Sequence, residues 1–238
     1  MTLLLFAQIS FSFHTHYQSP FENIIYQPPS VLLDFQTCER HKGNENTNLN
    51  ITKCSFQGLS TDDRDGGAAI KCKNSYFIVK STQFLNCKAL QGTGGAIYIE
   101  ENSDLPSRRD ALIQSSYFEQ CESLAGGAIF SKSENCDHSK LTINLCHFKS
   151  NIANDGSGDL AGYGGGILIG YSRVEITNCI FEKNYAPFAT NIAFHSFLNN
   201  TEWNAEYSIL IDNCTLEFYQ YQECYFSVYF LDSKKCYP

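Results

Sequence analysis

A short stretch of two glycines followed by apolar residues recurs four times in the chain. The first copy is Gly66-Gly67-Ala68-Ala69-Ile70, which has one extra alanine, and the others begin at Gly94, Gly126 and Gly165. Repetition at a period of roughly 30 residues is typical of stacked repeat architectures, in which no unit buries its apolar face without a neighbour. This recurrence constrains the fold more than any other feature of the sequence.

A second pattern precedes the glycine pairs. Apolar and polar residues alternate, one extra residue is inserted, and the alternation then resumes and ends at a phenylalanine or leucine. Because a period of two marks a strand with one buried face and a slipped register marks a corner, each copy predicts two short strands joined by a bend. Amphipathic helices are excluded, since their apolar positions would recur every three or four residues. The six copies are 49–56, 77–84, 111–118, 141–148, 174–181 and 209–216.

Together with the glycine strand, each repeat supplies three strands, and the copies differ in length only in polar or glycine-rich insertions. We therefore predict an all-β fold, a right-handed parallel β-helix of the pectin-lyase type with about six coils, paired at about 4.8 Å. The paired glycines would allow close approach at a corner. The inward positions form two ladders: Ile70, Ile97, Ile129, Ile167 and Ile192, and Phe56, Phe84, Phe118, Phe148 and Phe181.

The chain of 238 residues divides into three segments. Residues 1–19 begin with an uncharged apolar run of the length of a signal-peptide hydrophobic region, and a buried first strand or cap is the alternative. Prolines in residues 20–48 predict a leading irregular segment, and residues 49–238 are expected to form the β-helix with a C-terminal cap. No apolar run reaches about 18 residues, so no membrane-spanning segment is predicted.

Net charge and glycosylation motifs bear on the partners and the cellular location of the protein. Seventeen basic against twenty-five acidic side chains give a net charge of −8, which disfavours a nucleic-acid partner because phosphate binding needs clustered Lys and Arg. Acceptor motifs for N-glycosylation begin at Asn50, Asn199 and Asn213 and fit a secretory route. We therefore expect a glycoprotein that is extracellular or lies at the cell surface.

Two motifs of the repeat are specific. Gly-Gly-Ala-Ile stands at 94–97 and 126–129, and Phe-x-x-Asn stands at 148–151 and 181–184, whereas cysteine replaces the asparagine at Cys87 and at Cys121 in the two preceding copies. Over residues 49–194 the chain resembles the repeats of polymorphic membrane proteins, the autotransporter passengers of chlamydiae that also occur in protist surface proteins. This resemblance implies a β-helical adhesion or interaction module that contacts a host or neighbouring cell-surface protein or glycan.

Three outward positions of the glycine strands predict a contact surface. Tyr98, Phe130 and Leu168 occupy equivalent places in successive coils and would form an apolar stripe on the outside of the β-helix. Exposed contiguous apolar surface commonly marks a binding site. The alternative is that a loop folds over the stripe and buries it.

A carbohydrate-active enzyme, a polysaccharide lyase or glycoside hydrolase, is the alternative function. Glu182 and Glu217 occupy equivalent positions and could form a retaining carboxylate pair, which needs about 5–5.5 Å between the groups. With Glu119 and Lys149 they also fit a surface ladder of alternating charge. No Ser–His–Asp order, phosphate loop or cofactor fingerprint is present, so we predict no catalytic residue and no cofactor.

The eleven cysteines are regularly placed. Two inward positions repeat, and their thiols would be small buried hydrophobes or disulfides between coils, such as one joining Cys87 to Cys121. Zinc is not predicted, and turn chemistry explains the aspartates of the glycine-rich loops without calcium. The first inward position holds Cys146, Cys179 and Cys214. The cysteines outside the ladders, which are better suited to bridges, are Cys38, Cys136, Cys224 and Cys236. The loop aspartates are Asp62, Asp63, Asp65, Asp155 and Asp159.

Overall fold

A computed structural model describes nine ranges of the chain: 10–11, 36–37, 41–43, 48–101, 110–133, 139–170, 173–195, 208–217 and 228–231. Regular structure in these ranges consists of β-strands. The first strands are β1 (Ser10–Phe11), β2 (Gln36–Thr37), β3 (His41–Gly43), β4 (Asn48–Thr52), β5 (Cys54–Gln57), β6 (Ser60–Thr61), β7 (Ile70–Lys73), β8 (Tyr76–Lys80), β9 (Gln83–Leu85), β10 (Lys88–Thr93), β11 (Ile97–Glu101) and β12 (Ala111–Gln114). The remaining strands are β13 (Tyr117–Glu119), β14 (Glu122–Ala125), β15 (Ile129–Ser133), β16 (Lys140–Asn144), β17 (His147–Lys149), β18 (Ile152–Ala153), β19 (Ile167–Gly170), β20 (Arg173–Thr177), β21 (Ile180–Glu182), β22 (Ile192–His195), β23 (Ser208–Asp212), β24 (Thr215–Leu216) and β25 (Val228–Leu231).

The strands form four sheets in which every pairing is parallel, so the chain is a parallel β-helix, as predicted. The first half of each repeat forms the leading sheet, in the order β1-β23-β20-β16-β12-β8-β4. The phenylalanine sheet has the order β2-β5-β9-β13-β17-β21-β24, and the glycine sheet has the order β25-β22-β19-β15-β11-β7-β3. A short sheet, β18-β14-β10-β6, lies between these two along the chain.

The number of strands per coil differs from the prediction. Each of the four coils β4–β7, β8–β11, β12–β15 and β16–β19 contributes to all four sheets, so the predicted three strands per coil are wrong here. The missed strand is short, as in Ser60–Thr61 and Ile152–Ala153. Two residues are too few to display an alternation, so periodicity could not reveal these two strands. The other two, β10 and β14, have six and four residues, and they were not predicted either.

Both predicted ladders lie inside the β-helix. The isoleucines pair in register across five neighbouring strands of the glycine sheet, and the phenylalanines do so in the phenylalanine sheet. All ten side chains are fully buried. Successive phenylalanine rings are stacked almost in parallel, with centroids 4.7–5.1 Å apart. One continuous hydrophobic core therefore runs along the axis.

A buried polar ladder continues the phenylalanine motif. Asn151 Nδ2 donates to the Phe118 carbonyl at 3.1 Å and to Asn184 Oδ1 at 3.0 Å. Asn184 Nδ2 in turn donates to the Phe148 carbonyl and to Asn191 Oδ1, each at 3.0 Å. All three asparagines are fully buried. Their amides therefore satisfy backbone carbonyls that the turn leaves without ladder partners.

The glycine pairs are required for two different reasons. Gly94 has a φ of +62°, in the left-handed region that favours glycine. Gly95 has no such φ, but a Cβ atom there would lie 2.2 Å from the carbonyl oxygen of Gly127 in the next coil. A Cβ on Gly127 would lie 2.1 Å from the carbonyl oxygen of Gly165. The crowding predicted at this corner is thus backbone against backbone between stacked coils.

The bend between the leading and phenylalanine sheets holds a residue in the left-handed conformation, and in these coils that residue is not glycine. One residue in each of six coils has a φ between 49° and 54°, and Leu145 is the one least suited to it, because its side chain costs free energy there. The six residues are Lys53, Ser81, Ser115, Leu145, Asn178 and Asn213.

We expect the substitution Leu145→Asn to raise the free energy of unfolding by roughly 0.5–1 kcal/mol, because asparagine tolerates this conformation better than leucine. Leu145 is 45% exposed, so little apolar burial is lost. Urea unfolding measures the change. Leu112→Asn, on the half-buried face of β12, is the matched control and is expected to be neutral or destabilising. Equal effects of the two substitutions would contradict the conformational explanation.

Candidate functional site

The predicted apolar stripe exists, but it is not exposed. Tyr98 pairs with Phe130, and Phe130 pairs with Leu168, on the outer side of the glycine sheet. The rings of Tyr98 and Phe130 are stacked with centroids 5.5 Å apart. The exposed fractions of the three side chains are 4%, 3% and 0%. The prediction of an exposed contact surface at these residues is therefore wrong.

A loop covers the stripe, as the alternative expectation stated. Residues 154–163, here called the cover loop, pack Leu160 and Tyr163 onto the stripe, together with Ala125, Ala189 and Ala193. The backbone anchors the loop, because Gly162 N donates to the Leu124 carbonyl at 2.8 Å and Gly126 N donates to the Tyr163 carbonyl at 2.9 Å. The stripe and the cover loop form a second, smaller hydrophobic cluster outside the β-helix.

The outer surface of this cover carries an exposed aromatic ring. Phe188 is 48% exposed and stacks on Tyr163 with ring centroids 4.6 Å apart. Its backbone N–H donates to the Gly162 carbonyl at 3.0 Å, which holds the segment against the cover loop. We call Tyr163 and Phe188 the aromatic pair. Sequence periodicity could not find it, because both residues lie in irregular segments.

A network of ion pairs lies on the same side, in earlier coils. Lys71 Nζ contacts Asp63 at 2.8 Å and Asp65 at 2.9 Å, and Lys73 Nζ contacts Asp65 at 2.8 Å and Glu100 at 2.6 Å. Two of the aspartates considered as calcium ligands, Asp63 and Asp65, therefore form ion pairs with lysines. Within the described ranges, no three His, Cys, Asp or Glu side chains lie together as a metal-binding group.

Glu100 is the central carboxylate of this network. Lys132 Nζ contacts it at 2.5 Å, and the Tyr98 hydroxyl donates to it at 2.9 Å. Burial alone would raise the pKa of the Glu100 carboxyl, but hydrogen bonds from Lys132, Lys73 and Tyr98 outweigh burial and lower it. The Lys73 ammonium also lies 5.7 Å from the Tyr98 ring centroid, in cation–π range. The network therefore ties one end of the stripe to charged groups.

The lowered pKa predicts how stability depends on pH. A carboxyl whose pKa is depressed in the folded state stabilises it above the ordinary value of 4.5, and this contribution is lost as pH falls through the folded pKa. We therefore expect the melting temperature of the wild type to fall more steeply below pH 4.5 than that of Glu100→Gln. Melting curves recorded from pH 7 downwards measure this difference. Parallel curves for the two proteins would contradict the assigned role of Glu100.

The outer face of the phenylalanine sheet carries the predicted ladder of alternating charge. Lys149 Nζ lies 3.6 Å from Glu119 Oε1 and 3.6 Å from Glu182 Oε1. His147 Nε2 lies 3.6 Å from the other oxygen of Glu182, and burial lowers the pKa of the imidazole. Glu182, one of the two residues of the proposed retaining pair, is therefore in contact with a lysine and a histidine. Glu217 is exposed and follows β24.

Apart from Cys54, the described cysteines are free thiols. Cys87 and Cys121 are both free, so the disulfide considered between them is not formed in the structure. The thiol of Cys121 donates instead to the Phe84 carbonyl of the preceding coil, at 3.6 Å. Cys54 is disulfide-bonded. The four cysteines favoured for bridges, Cys38, Cys136, Cys224 and Cys236, lie outside the described residues.

Five of these thiols are expected to resist alkylation in the native protein. Burial raises the pKa of Cys72 to about 11 and raises that of Cys121 and Cys179 well above the ordinary value, so few thiolates form near neutral pH. Mass spectrometry after iodoacetamide treatment should find these cysteines unlabelled until denaturant is added, and Cys54 unlabelled until the protein is also reduced. Native labelling of Cys121 would contradict its burial. The five buried thiols are Cys72, Cys87, Cys121, Cys146 and Cys179.

Comparison with known proteins gives one partial similarity. The chain is 27% identical over 147 residues to "Metabotropic glutamate receptor-like protein R" of Dictyostelium discoideum, a match that covers 61% of this chain and 8% of the relative. The matched part of the chain thus spans less than a tenth of the length of that protein. No protein-family model and no solved structure matches the chain.

Proposed function

We propose that the chain is a secreted or cell-surface β-helix repeat protein that acts as a non-catalytic adhesion or interaction module. Its proposed relation to polymorphic membrane proteins is supported by the positions of their two motifs. Gly-Gly-Ala-Ile leads into the glycine sheet, and Phe-x-x-Asn supplies both the stacked rings and the buried asparagine ladder. The proposed partner is a protein or glycan on a host or neighbouring cell.

The aromatic pair, in which the ring of Phe188 is exposed, is the observation that carries this proposal. Aromatic residues are enriched in protein interfaces and supply a large part of their binding energy. Phe188 presents nearly half of its surface to solvent on a backbone that hydrogen bonds and the ring of Tyr163 hold in place. Such a preorganised ring loses little conformational entropy on binding. We therefore assign the contact to the outer surface of the cover loop and no longer to the stripe beneath it.

Two observations support a location outside the cytosol. The disulfide at Cys54 is typical of secretory compartments, since cytosolic thiols are kept reduced. The partial relative carries a receptor-like name, and receptors present domains at the cell surface. In the part of the chain that the structure describes, no helix has the length and hydrophobicity to cross a membrane.

The location is tested on the native gene. Surface biotinylation and fractionation of the expressing cells should find the protein in the labelled surface fraction or in the medium. Recovery of only unlabelled protein from the cytosol would contradict the proposed location.

The contact is tested with purified protein on intact cells and on an array of immobilised glycans. Phe188→Ser is expected to lower binding at least about tenfold, the loss typical of a residue at the centre of an interface. Leu145→Ser is the matched control, because Leu145 has a similar exposed fraction, 45%, and lies at the bend between the leading and phenylalanine sheets. Unchanged binding by Phe188→Ser, or equal losses for both variants, would contradict this contact site. Release of cleaved glycan from the array would instead favour the alternative function, a polysaccharide lyase or glycoside hydrolase.

A further inference from the structure

Two of the three N-glycosylation motifs lie in described residues, and both are in terminal copies of the repeat. Asn50-Ile51-Thr52 belongs to β4 in the first copy, and Asn213-Cys214-Thr215 follows β23 in the sixth. The third motif, at Asn199, lies outside the described residues. The reaction needs a lipid-linked oligosaccharide as donor. The asparagine amide nitrogen forms a bond to the anomeric carbon, the bond from that carbon to the lipid pyrophosphate breaks, and the amide loses one proton.

The first motif has the alternation of a strand with one buried face. Ile51 points inward and is 4% exposed, whereas Asn50 and Thr52 are both exposed on the outer side of the leading sheet. The acceptor amide and the hydroxyl two residues later therefore share one free face. In the next strand Asn50 is paired with Ile78, whose side chain is half-buried, so a sugar attached here projects into solvent without displacing core residues.

The second motif follows the bend between two sheets. Asn213 has a φ of 50° and is exposed, as is Thr215, whereas the thiol of Cys214 turns back and donates to the Ile176 carbonyl at 3.5 Å. Asn213 Nδ2 donates to Asn178 Oδ1 at 2.6 Å. A glycosylated amide keeps one N–H, so this hydrogen bond survives attachment of the sugar.

We infer that Asn50 and Asn213 carry N-linked glycans, an inference that rests on the proposed secretory route. Five coil spacings of about 4.8 Å separate the two copies, so the two asparagines stand about 24 Å apart along the leading sheet. Among the described strands β4 ends the leading sheet, whereas β1 pairs with β23, so a bulky glycan on Asn50 would oppose pairing of this sheet edge with another chain. The aromatic pair precedes strands of the glycine sheet, whereas the two acceptor asparagines lie on the leading sheet and at its bend.

The structure contains its own control position. Asn178 lies at the bend one coil before Asn213, with a φ of 54° and an exposed side chain, and it is also followed by a cysteine. Ile180 stands where Thr215 completes the later motif, so Asn178 cannot be an acceptor. The two corners thus differ in the residue two positions after the asparagine, and Ile180→Thr would turn the control into an additional acceptor motif.

The test expresses the full chain in eukaryotic cells behind a heterologous secretion leader and maps glycosylated asparagines by mass spectrometry after enzymatic deglycosylation in heavy-oxygen water. We expect the label at Asn50 and Asn213 and none at Asn178. Thr52→Ala and Thr215→Ala should each remove one glycan, whereas Thr52→Ser should keep it. Unmodified Asn50 and Asn213 in secreted protein would overturn the inference.

A second arm separates this inference from the proposed location. The same chain is expressed without the added leader and examined in the same way. One outcome is that the chain is modified with the added leader while the native chain fails to enter the secretory route. That result would support Asn50 and Asn213 as acceptor sites and would overturn the proposed location. Secretion of an unmodified chain in both arms would overturn the glycosylation and leave the location intact.

Discussion

Replacing Phe118 with alanine is expected to lower the free energy of unfolding by about 3–5 kcal/mol, the range found when a large buried aromatic side chain is removed. The ring is fully buried and stacked between Phe84 and Phe148, with centroids 4.7 and 4.8 Å away. The neighbouring coils cannot close over the cavity, because backbone hydrogen bonds fix their separation near 4.8 Å. Urea unfolding followed by circular dichroism at the β-sheet band measures the loss.

Phe188→Ala provides the matched control for this prediction. It removes the same side chain from a site that is 48% exposed, so we expect a change of no more than about 1 kcal/mol. If Phe118→Ala destabilised the protein no more than Phe188→Ala, the stacked rings would not be the core of the fold. The same pair of variants separates stability from contact, because only Phe188 is assigned to the binding surface.

The ladders were predictable because their information is local and repeated. Ile97 and Ile129 occupy the same place in copies of one motif, and parallel stacking of the copies requires that equivalent residues superpose. A single inward face at period two then fixes which side chains are buried. The sequence therefore contains the register of the coils without any knowledge of long-range contacts.

The corners were less accessible, because the stacking imposes their conformation and the residues do not prefer it. Leu145 adopts a φ of 54°, which no propensity of leucine would predict. The neighbouring coils place Asn178 and Asn213 at the same bend, and only this alignment shows that position 145 must be left-handed. The polar strand Ser60–Thr61 of the short sheet is hidden for a similar reason, since its pairing partner defines it.

Whether the stripe is exposed depends on the path of a loop, and the periodicity of the sequence does not reveal that path. Tyr98, Phe130 and Leu168 were correctly placed side by side on the outer face. Their exposure depended on the cover loop, whose sequence is rich in glycine and polar residues and gives no sign of where it packs. The run of apolar residues at outward positions was itself the available signal, because outward leucines and phenylalanines in a solenoid need a cover or a partner.

The buried asparagine ladder leads to the second large prediction. We expect Asn184→Leu to lower the free energy of unfolding by at least about 3 kcal/mol, although the two side chains are similar in size. Asn184 accepts from the backbone and side-chain amides of Asn151 and donates to the Phe148 carbonyl and Asn191 Oδ1. Leucine leaves all of these groups buried without that partner, and each such loss costs about 1–3 kcal/mol.

Two further variants show whether hydrogen bonding or burial causes this loss. Asn48→Leu, at an exposed position of β4, should change stability by less than about 0.5 kcal/mol. Asn184→Cys should cost less than Asn184→Leu, because cysteine stands at the same place of the motif in Cys121, where its thiol donates to the carbonyl of the preceding coil. A loss for Asn184→Leu as small as that for Asn48→Leu would indicate that an apolar side chain of similar size can replace the amide. The asparagine of the motif would then be a packing residue, and the hydrogen-bonded ladder would not stabilise the stack of coils.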